Sequence, residues 1–510
     1  MDFAGFCGTS YRFDNRYSAV ERLVNWYCTP NESGEEKKFK IELAPSPSNA
    51  AFSTLPVPAP FDQPCRGLLE LRGIAYGVNG SVVFSIDAAG SYTNIGTVPD
   101  NGLPVSMVAN GTGQIFIASS GQGFVIPAGG GAGSLLGTTG GFSGASYATF
   151  QDGYSLVIKP NSNVFQISGD DNTPLGDATI WDAANVSVQA GQADRLKAIR
   201  SWREYVFIFG DRRSQVYYDI GSGGIGGFPF QSYNSTFIET GLSAVFSLAD
   251  LQDSLMWIGQ DAKGIRAAWR MSSFQPTRVS NYAVEQAWDS YSTISDAVAF
   301  PLIWKGHLMY QVTFPTVGKT WVSDATASQA LQRAIWHERQ FLGPIGETLA
   351  RPELHHCFCY GKHLVGSAGG DGNPGAVYQY SDSYFYDCAK DNAGAQAPRN
   401  IIRDRIAPHL WESNKRVIYN RIGFELMRGV GTDGAGACPD PSLSLCWSND
   451  GGYTWSSWQT IAVGKLGQFN KLVYYNRAGY GRGRVFWLRA SDPVYWGITA
   501  AMLDLQECAS

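Results

Sequence analysis

A short apolar strand, a turn and a second apolar strand recur together seven times in this sequence of 510 residues. The first strands begin at Ile74, Ile115, Leu156, Val206, Leu255, Leu308 and Leu364, and their spacings lie between 41 and 56 residues. The second strands contain Val83, Phe124, Val164, Val216, Ile265, Trp321 and Val377. A period of about 40 to 50 residues with several strands per unit is typical of propeller blades. The sequence therefore predicts a propeller-like repeat of about six or seven blades, with a stacked-sandwich arrangement of the same hairpins as the alternative.

The composition favours extended strands joined by many turns. Glycine accounts for 59 residues, and charged residues make up only 16% of the chain, against about 25% in ordinary soluble domains. Aromatic residues reach 13%, and they suit pleated, half-buried surfaces. The chain is also longer than the roughly 250 to 300 residues at which one core stops growing. We therefore expect a mainly β protein with more than one core.

The sequence changes character on both sides of the repeat. Residues 1–64 form an N-terminal segment, and within them the polar, proline-rich stretch 29–64 predicts an extended arm. The repeat domain is expected over residues 65–388, and residues 389–415 have the composition of a linker. Beyond it, residues 416–510 alternate apolar and polar positions as strands do, which predicts a separate C-terminal β-sandwich.

The C-terminal domain contains a close match to a known turn motif. Ser448, Asp450, Gly452, Thr454 and Trp455 fit the Asp-box pattern S-x-D-x-G-x-T-W. In such a motif the Asp carboxylate accepts bonds from turn amides and the Trp packs beneath them, so the motif braces a hairpin. Asp-boxes occur in sialidases, but a glycosidase also needs an acid and a nucleophile or base placed around the substrate. A structural brace is therefore expected, with an enzyme remnant as the alternative.

The sequence holds one cluster of His and Cys residues. His355, Cys357 and Cys359 would share one face of a strand, which makes them weak candidates for zinc ligands. Alternate positions on a strand lie too far apart for a compact tetrahedral site, and no C-x-x-C pair supports them. We therefore predict no metal site.

A second tempting pattern is G-x-G-x-x-G at residues 221–226. The Gly-Phe-Pro sequence that follows at residues 227–229 cannot open the helix that would hold a pyrophosphate. The sequence also has no G-x-S-x-G, H-E-x-x-H or P-loop motif. Neither a cofactor nor an enzymatic activity is expected.

The charge of the chain argues against tight nucleic-acid binding. The formal net charge is −5, so the chain lacks the basic footprint of a DNA-gripping protein. Residues 401–510 hold 12 Lys and Arg against 9 Asp and Glu, or +3, which leaves −8 for residues 1–400. The two parts are therefore expected to face different partners.

Neither a signal peptide nor a run of 18 apolar residues is found, so we expect no export signal and no membrane-spanning segment. The nine scattered cysteines indicate reduced thiols.

Three stretches together resemble the packaged-DNA stabilisation proteins, or tail nozzle and tail hub proteins, of short-tailed bacteriophages. The N-terminal stretch includes Asn25, Trp26 and Tyr27 and continues to Pro47. The second covers the first two hairpins, from Arg66 to Gly111, and the third runs from Trp447 to Pro493 and contains the Asp-box. The order and spacing agree at both ends of the chain.

The resemblance implies a structural subunit of the virion tail, assembled in the host cytoplasm. Such a subunit would form a homo-oligomeric ring, of six copies, below the portal and the adaptor ring. It would close the channel on the packaged genome and conduct double-stranded DNA during ejection, with the tail needle, fibres or spikes below it. The segment Asn25, Trp26 and Tyr27 is then a candidate assembly segment. A glycan-cleaving tail enzyme and a receptor-binding tail module are the alternatives.

Overall fold

The computed structural model describes residues 1–32, 40–137, 140–169, 176–188, 194–221, 228–261, 264, 266–411, 415–432 and 438–508. Within these residues the chain is mainly β, with two short α-helices. The predicted combination of a propeller and a C-terminal sandwich is confirmed.

Five short strands precede the propeller: β1 Tyr11–Arg12, β2 Val20–Val24, β3 Trp26–Pro30, β4 Ile41–Pro45 and β5 Ser48–Ala51. β1 pairs only with β2 and β3 only with β4, whereas β2, β4 and β5 pair with strands from later in the chain. They therefore belong to sheets that the rest of the chain builds.

Blades 1 to 4 are four-stranded antiparallel sheets whose strands follow one another in the chain. Blade 1 contains β6 Cys65–Leu71, β7 Ile74–Asn79, β8 Val82–Ile86 and β9 Tyr92–Thr97. Blade 2 contains β10 Ser106–Ala109, β11 Ile115–Ser119, β12 Gln122–Ile126 and β13 Ser134–Leu135. Blade 3 contains β14 Tyr147–Gln151, β15 Tyr154–Ile158, β16 Val164–Ser168 and β17 Trp181–Val188. Blade 4 contains β18 Leu196–Trp202, β19 Tyr205–Gly210, β20 Ser214–Asp219 and β21 Phe230–Ile238.

The later blades carry insertions or borrow strands. Blade 5 contains β22 Thr240–Leu242, β23 Ala249–Asp250, β24 Leu255–Asp261, β25 Arg266–Met271 and β26 Thr277–Arg278, with a 3-10 helix at Val245–Ser247. Helix α1, Tyr282–Asp289, then leads to blade 6: β27 Val298–Trp304, β28 His307–Phe314, β29 Lys319–Asp324 and, after α2 Ala325–Leu331, β30 Trp336–Arg339. A small hairpin follows, with β31 Phe341–Leu342 and β32 Thr348–Leu349. Blade 7 contains β33 Glu353–Cys359, β34 Lys362–Ser367 and β35 Val377–Ser381.

The remaining strands lead into and build the sandwich. They are β36 Tyr386–Asp387, β37 Arg399–Asn400, β38 Arg403–Ile406, β39 Leu410–Trp411, β40 Val417–Leu426, β41 Ser442–Ser448, β42 Gln459–Ala462, β43 Val473–Asn476, β44 Tyr480–Gly481, β45 Gly483–Ala490 and β46 Ile498–Glu507.

The hairpins recognised in the sequence are the second and third strands of each blade. These strands are largely buried on both faces between neighbouring blades; Leu156, Val206 and Leu255, for example, are fully buried. A strand buried on both faces consists of a continuous apolar run, which is why it stood out in the sequence. Ile265, assigned to the fifth hairpin, lies outside the described residues.

The N-terminal strands close and connect the domains. β5 pairs with β35 and supplies the fourth strand of blade 7, with Tyr380 opposite Asn49. β3 and β4 join β46, β40 and β43 in one sheet of the sandwich. β2 lies between β30 of blade 6 and β38, so one continuous sheet runs from blade 6 into the second layer of the sandwich.

These pairings differ from the extended arm and the linker that the sequence suggested. Residues 41–45 and 48–51 are paired strands, because strands of the sandwich and of blade 7 lie beside them with open backbone groups. In the stretch 389–415, β37 pairs with β36, and β38 is a central strand of the long sheet. Polar and proline-rich composition indicated irregular backbone there, whereas pairing with distant strands orders it.

The sandwich encloses the largest apolar cluster of the described residues, and Phe3, Phe6, Leu23 and Trp26 of the N-terminal segment lie in it. No helix in the described part of the chain is long and apolar enough to cross a membrane. All nine cysteines are free thiols.

Candidate functional site at the junction of propeller and sandwich

The N-terminal strands, blade 6 and the sandwich meet at one junction. Val24 of β2 pairs in parallel with Glu338 of β30, and on its other side β2 pairs with β38, where Arg22 lies opposite Ile406. A strand of the N-terminal segment thus shares one sheet with two strands that lie more than 300 residues further along the chain. The junction joins the sandwich to the propeller through backbone hydrogen bonds.

A bidentate ion pair strengthens this junction. Arg22 Nε donates to Glu338 Oε1 and Arg22 Nη2 donates to Glu338 Oε2, each over 2.7 Å. Burial by itself would raise the pKa of Glu338, but the charge and hydrogen bonds of Arg22 lower it below its usual value. The paired geometry is the strongest form of carboxylate recognition by arginine. Because the partners are 316 residues apart, no spacing in the sequence pointed to them.

The candidate assembly segment lies inside this junction. Asn25 has a left-handed backbone with φ of 54°, and its Nδ2 donates to the carbonyl oxygens of Gln340 and Ile402 over 3.1 and 2.7 Å. Trp26 Nε1 donates to the carbonyl oxygen of Trp496 over 2.9 Å. Asn25, Trp26 and Tyr27 are 2%, 0% and 3% exposed. They join parts of one chain, so in this structure they offer no surface to a neighbouring subunit, which differs from the assembly role expected of them.

The Asp-box forms the turn between β41 and β42 of the sandwich. Asp450 Oδ1 accepts hydrogen bonds from the backbone amides of Tyr453 and Thr454 over 3.0 and 2.9 Å, and Oδ2 accepts one from the Thr454 hydroxyl over 2.5 Å. Ser448 Oγ donates to Asp450 Oδ1 over 2.6 Å and accepts from the Gly452 amide over 2.8 Å. Desolvation by itself would raise the pKa of Asp450, but these donors lower it well below its usual value. Every bond stays within the turn, so the carboxylate is engaged in bracing it.

The braced turn packs against the N-terminal segment. Arg16 Nη1 donates to the carbonyl oxygen of Gly452 over 2.8 Å, and its guanidinium lies 4.7 Å from the centre of the Tyr453 ring. Beneath the turn, the Trp455 ring lies 5.1 Å from that of Trp487, and both pack on a small cluster with Val20. The Asp-box hairpin thus holds the residues that precede β2.

A cleft of about 500 Å³ opens beside these contacts. The N-terminal segment, helix α1, blade 6 and the Asp-box turn line it, with Arg12, Arg16, Lys319, Trp321 and Tyr453 among the lining residues. Each of its carboxylates accepts a hydrogen bond from the protein: Asp14 from Gln286, Glu21 from the Val20 amide, and Glu338 from Arg22. The cleft is therefore a polar recess of the junction, without a converging catalytic set of the kind that acid-base chemistry needs.

The weak metal candidates do not come together as ligands. Cys357 and Cys359 lie in an apolar cluster between blades 7 and 1, and burial raises the pKa of both thiols. This disfavours the thiolate that zinc requires. His355 lies on the propeller axis, and burial lowers its pKa to about 3. No group of three or more His, Cys, Asp or Glu suited to a metal ion occurs among the described residues, and residues 222–227 of the glycine motif lie outside them.

The axis of the propeller is narrow. The innermost strands of the blades surround a cavity of about 180 Å³, lined by Ser106, Tyr147, Arg200, Asp250 and His355, among others. The major groove of DNA alone is about 12 Å wide. A duplex therefore does not pass along the axis of a single propeller.

Comparison with solved structures finds propellers. A catalytically inactive virginiamycin B lyase from Staphylococcus aureus, solved with quinupristin, is 9% identical with a TM-score of 0.39, and the alignment covers 66% of this chain and 98% of that one. The WD40 propeller domain of Doa1 is 11% identical with a TM-score of 0.37 and coverages of 66% and 97%. Likenesses this distant carry no argument about function. No curated protein sequence matches the chain.

Two family models match consecutive parts of the chain. The model described as the β-propeller of bacteriophage P22 Gp10 matches residues 65–377. The model described as the β-sandwich of the same protein matches residues 402–506. The two matches follow the order of the propeller and the sandwich, and the first alone covers more than half of the chain. The chain therefore belongs to the bacteriophage P22 Gp10 family, the tail nozzle and DNA-stabilisation proteins, and is a structural protein of the phage virion tail.

Proposed function

We propose that this protein is the tail nozzle subunit of a short-tailed phage, closing the portal-adaptor channel on packaged DNA and conducting the genome at ejection. The observation that carries the proposal is the family match over both domains, at residues 65–377 and 402–506. We further propose that the subunit forms a ring, of six copies, below the adaptor. The tail needle and the fibres or spikes would be its other neighbours, and assembly would take place in the host cytoplasm.

The shape of the subunit agrees with a conduit formed between copies. Because the axial cavity of one propeller holds only about 180 Å³, DNA would run along the centre of the ring, where several subunits face it. A net acidic chain releases few counterions on contact with phosphates and so binds DNA weakly. Weak binding suits a wall along which the genome must slide.

We also propose that the protein has no catalytic activity of its own. The Asp450 carboxylate, which invites a sialidase interpretation, accepts bonds from donors of its own turn. Incubation with sialosides and with host polysaccharide checks this proposal. Turnover that disappears when one carboxylate is replaced would contradict it and favour the glycan-cleaving alternative.

Electron microscopy of particles made with and without this chain tests the nozzle. Complete particles are expected to show its density as a ring on the channel axis, and particles without it should lose their DNA after packaging. Density confined to peripheral spikes, with the genome retained in its absence, would contradict the proposal and support a receptor-binding module.

Assembly in solution gives a second test. The purified protein is mixed with purified adaptor rings, and the mass of the complex is measured. A complex with several subunits per adaptor ring is expected. Protein that stays monomeric when adaptor is added would count against the ring.

A further inference from the structure

Cations gather on one face of the sandwich. Residues 415–421, at the start of β40, and residues 474–482, in β43, β44 and the turns that follow them, contain no carboxylate. β40 pairs with both β43 and β44, so the two segments lie side by side, and we call them the arginine face. Its five cations are Lys415, Arg416, Arg421, Arg477 and Arg482.

Two guanidinium groups of the arginine face stack on tyrosine rings. Arg416 Cζ lies 4.2 Å from the centre of the Tyr480 ring, and Arg421 Cζ lies 4.6 Å from that of Tyr474. Arg421 Nε also donates to Asn476 Oδ1 over 3.3 Å. Stacking on a ring holds a guanidinium in place and leaves N–H donors at its edge for an acceptor in solvent.

Carboxylates of the neighbouring strand β46 offset part of this charge. Glu507 Oε2 lies 3.0 Å from Lys415 Nζ. Asp504 lies opposite Arg421 in the sheet. These two carboxylates match two of the five cations.

The remaining charge is positive. Arg416 and Arg477 are exposed, and neither makes an ion pair with a residue that the structure describes. Five cations against two carboxylates leave +3 on the described part of the face, whereas residues 1–400 carry −8. The arginine face is therefore a local positive surface on an acidic chain.

We propose that the arginine face contacts the phosphate backbone of double-stranded DNA as the genome passes the subunit. The proposal rests on the nozzle role proposed above, which brings DNA to the protein. Arg, Asn and Tyr side chains donate to backbone phosphates, and all three occur on this face. The five residues from Arg416 to Arg421 span about 16 Å of strand, which corresponds to the axial rise of about five nucleotides.

The uneven charge also orients the subunit. DNA is repelled by the acidic propeller and attracted by the arginine face, so the sandwich is the part that faces the channel. So few cations release few counterions, and the contact is weak and sensitive to salt. A weak contact with phosphates, which carry no sequence information, lets DNA of any sequence slide past.

Fluorescence anisotropy of a labelled DNA duplex tests the face on the purified protein. Wild-type affinity is expected to fall as salt rises, and replacing both Arg416 and Arg477 with Gln should lower the slope of log affinity against log salt by about 2. Arg203→Gln is the matched control, because Arg203 is exposed and stacks on the Trp202 ring of the propeller at 4.4 Å. Its slope should equal that of the wild type. No binding by the wild type at low salt, or equal slopes for the wild type and the double variant, would overturn the proposal.

Arginine modification of the wild-type protein decides the question even if the double variant fails to fold. Phenylglyoxal reacts with exposed guanidinium groups, and peptide mass spectrometry measures the reaction at each position. DNA should slow the reaction at Arg416, Arg421 and Arg477 and leave Arg203 unchanged. Equal protection of Arg203, or no protection, would overturn the proposal.

Poly-glutamate in place of DNA tests whether the partner is an acidic protein. At the same concentration of charge it should protect the arginine face less, because its charge density is lower. Protection equal to that by DNA would overturn the assignment to DNA.

These results are separable from those on the nozzle. A ring on the channel axis of particles, with purified protein that does not bind DNA, would overturn the arginine face alone. Density in peripheral spikes, with DNA binding that depends on Arg416 and Arg477, would support the face and overturn the nozzle alone.

Discussion

Buried arginines join parts of this chain that are far apart in sequence. Arg405 holds the carbonyl groups of residues 5, 6 and 9, and Arg339 Nη2 donates to the carbonyl oxygen of Pro47 over 2.6 Å. Arg484 bonds the carbonyl oxygen of Tyr480 and the side chain of Asn449. A planar guanidinium can donate to several acceptors at once. It can therefore hydrogen-bond the carbonyl oxygens of irregular backbone that has no strand partner. The interior of the junction therefore relies on arginine where a regular sheet would use its own amides.

Asp450 is the residue on which the Asp-box turn depends. Replacing it with Ala removes the acceptor of the Tyr453 and Thr454 amides and should cost about 1 to 2 kcal/mol, as for other capping side chains. Asp450→Asn keeps one carbonyl acceptor and should cost less. The free energy of unfolding from urea titrations checks both values.

The lowered pKa of Asp450 should make the stability of the protein depend on pH. The folded pKa of Asp450 lies below its ordinary value. Its contribution to the free energy of unfolding is therefore present above the ordinary carboxyl pKa and is lost as pH falls through the folded pKa. Asp450→Asn should therefore lose less stability on acidification than the wild type. Asp440→Ala, at an exposed carboxylate, is the matched control, and an equal loss for it and Asp450→Ala would contradict the brace.

At the scale of elements, β5 closes the propeller with a strand from the other end of the domain. The backbone amide of Asn49 donates a hydrogen bond to Asp387 Oδ1, and its carbonyl oxygen accepts one from the Cys388 amide. Since backbone groups alternate in direction along a strand, those of Ala50 face β35, where Ala50 lies opposite Gln379. Blade 7 therefore depends on backbone bonds at Ala50 for its fourth strand.

A proline at position 50 should open this closure. Ala50→Pro removes one ladder donor and leaves an acceptor on β35 unpaired, at a cost of about 1 to 3 kcal/mol. Ala51→Pro is the matched control, because the amide of Ala51 faces away from β35 and the residue is exposed. Hydrogen exchange of the β35 amides is the measurement. Faster exchange in Ala50→Pro alone is expected, and equal protection in both variants would contradict the closure.

At the scale of the whole molecule, the subunit is a propeller with a narrow axis, joined to a sandwich. Arg200 of β18 and Asp250 of β23 lie on inner strands of neighbouring blades and line the axial cavity, with 3.7 Å between Nη2 and Oδ2. If DNA passes between subunits, these residues do not meet it. Charges on the wall of the ring would meet the genome instead.

Virions carrying Arg200→Gln should therefore retain and eject DNA like wild-type virions. The rate of genome release, followed with a DNA-binding dye after receptor addition, is the measurement. Arg200→Gln with Asp250→Asn keeps the axis neutral and controls for a local change in packing. Altered release by Arg200→Gln alone, with normal assembly, would contradict passage between subunits.

The sequence by itself determined the parts of this protein whose information is local. The apolar hairpins marked the second and third strands of each blade, because residues a few positions apart form a hairpin. The Asp-box likewise contains its own carboxylate, turn and tryptophan within residues 448–455. These features form between residues that are close together in the chain, so a local sequence pattern is enough to predict them.

Only the tertiary structure decided where the N-terminal segment lies and what it holds. β5 completes blade 7, β2 bridges blade 6 and β38, and Arg22 pairs with Glu338 at a separation of 316 residues. The candidate assembly segment of Asn25, Trp26 and Tyr27 was recognised from sequence alone. The structure buries it where these segments meet. Pairing between distant strand edges depends on which edges the fold leaves open and adjacent, and that has no period or spacing in the sequence.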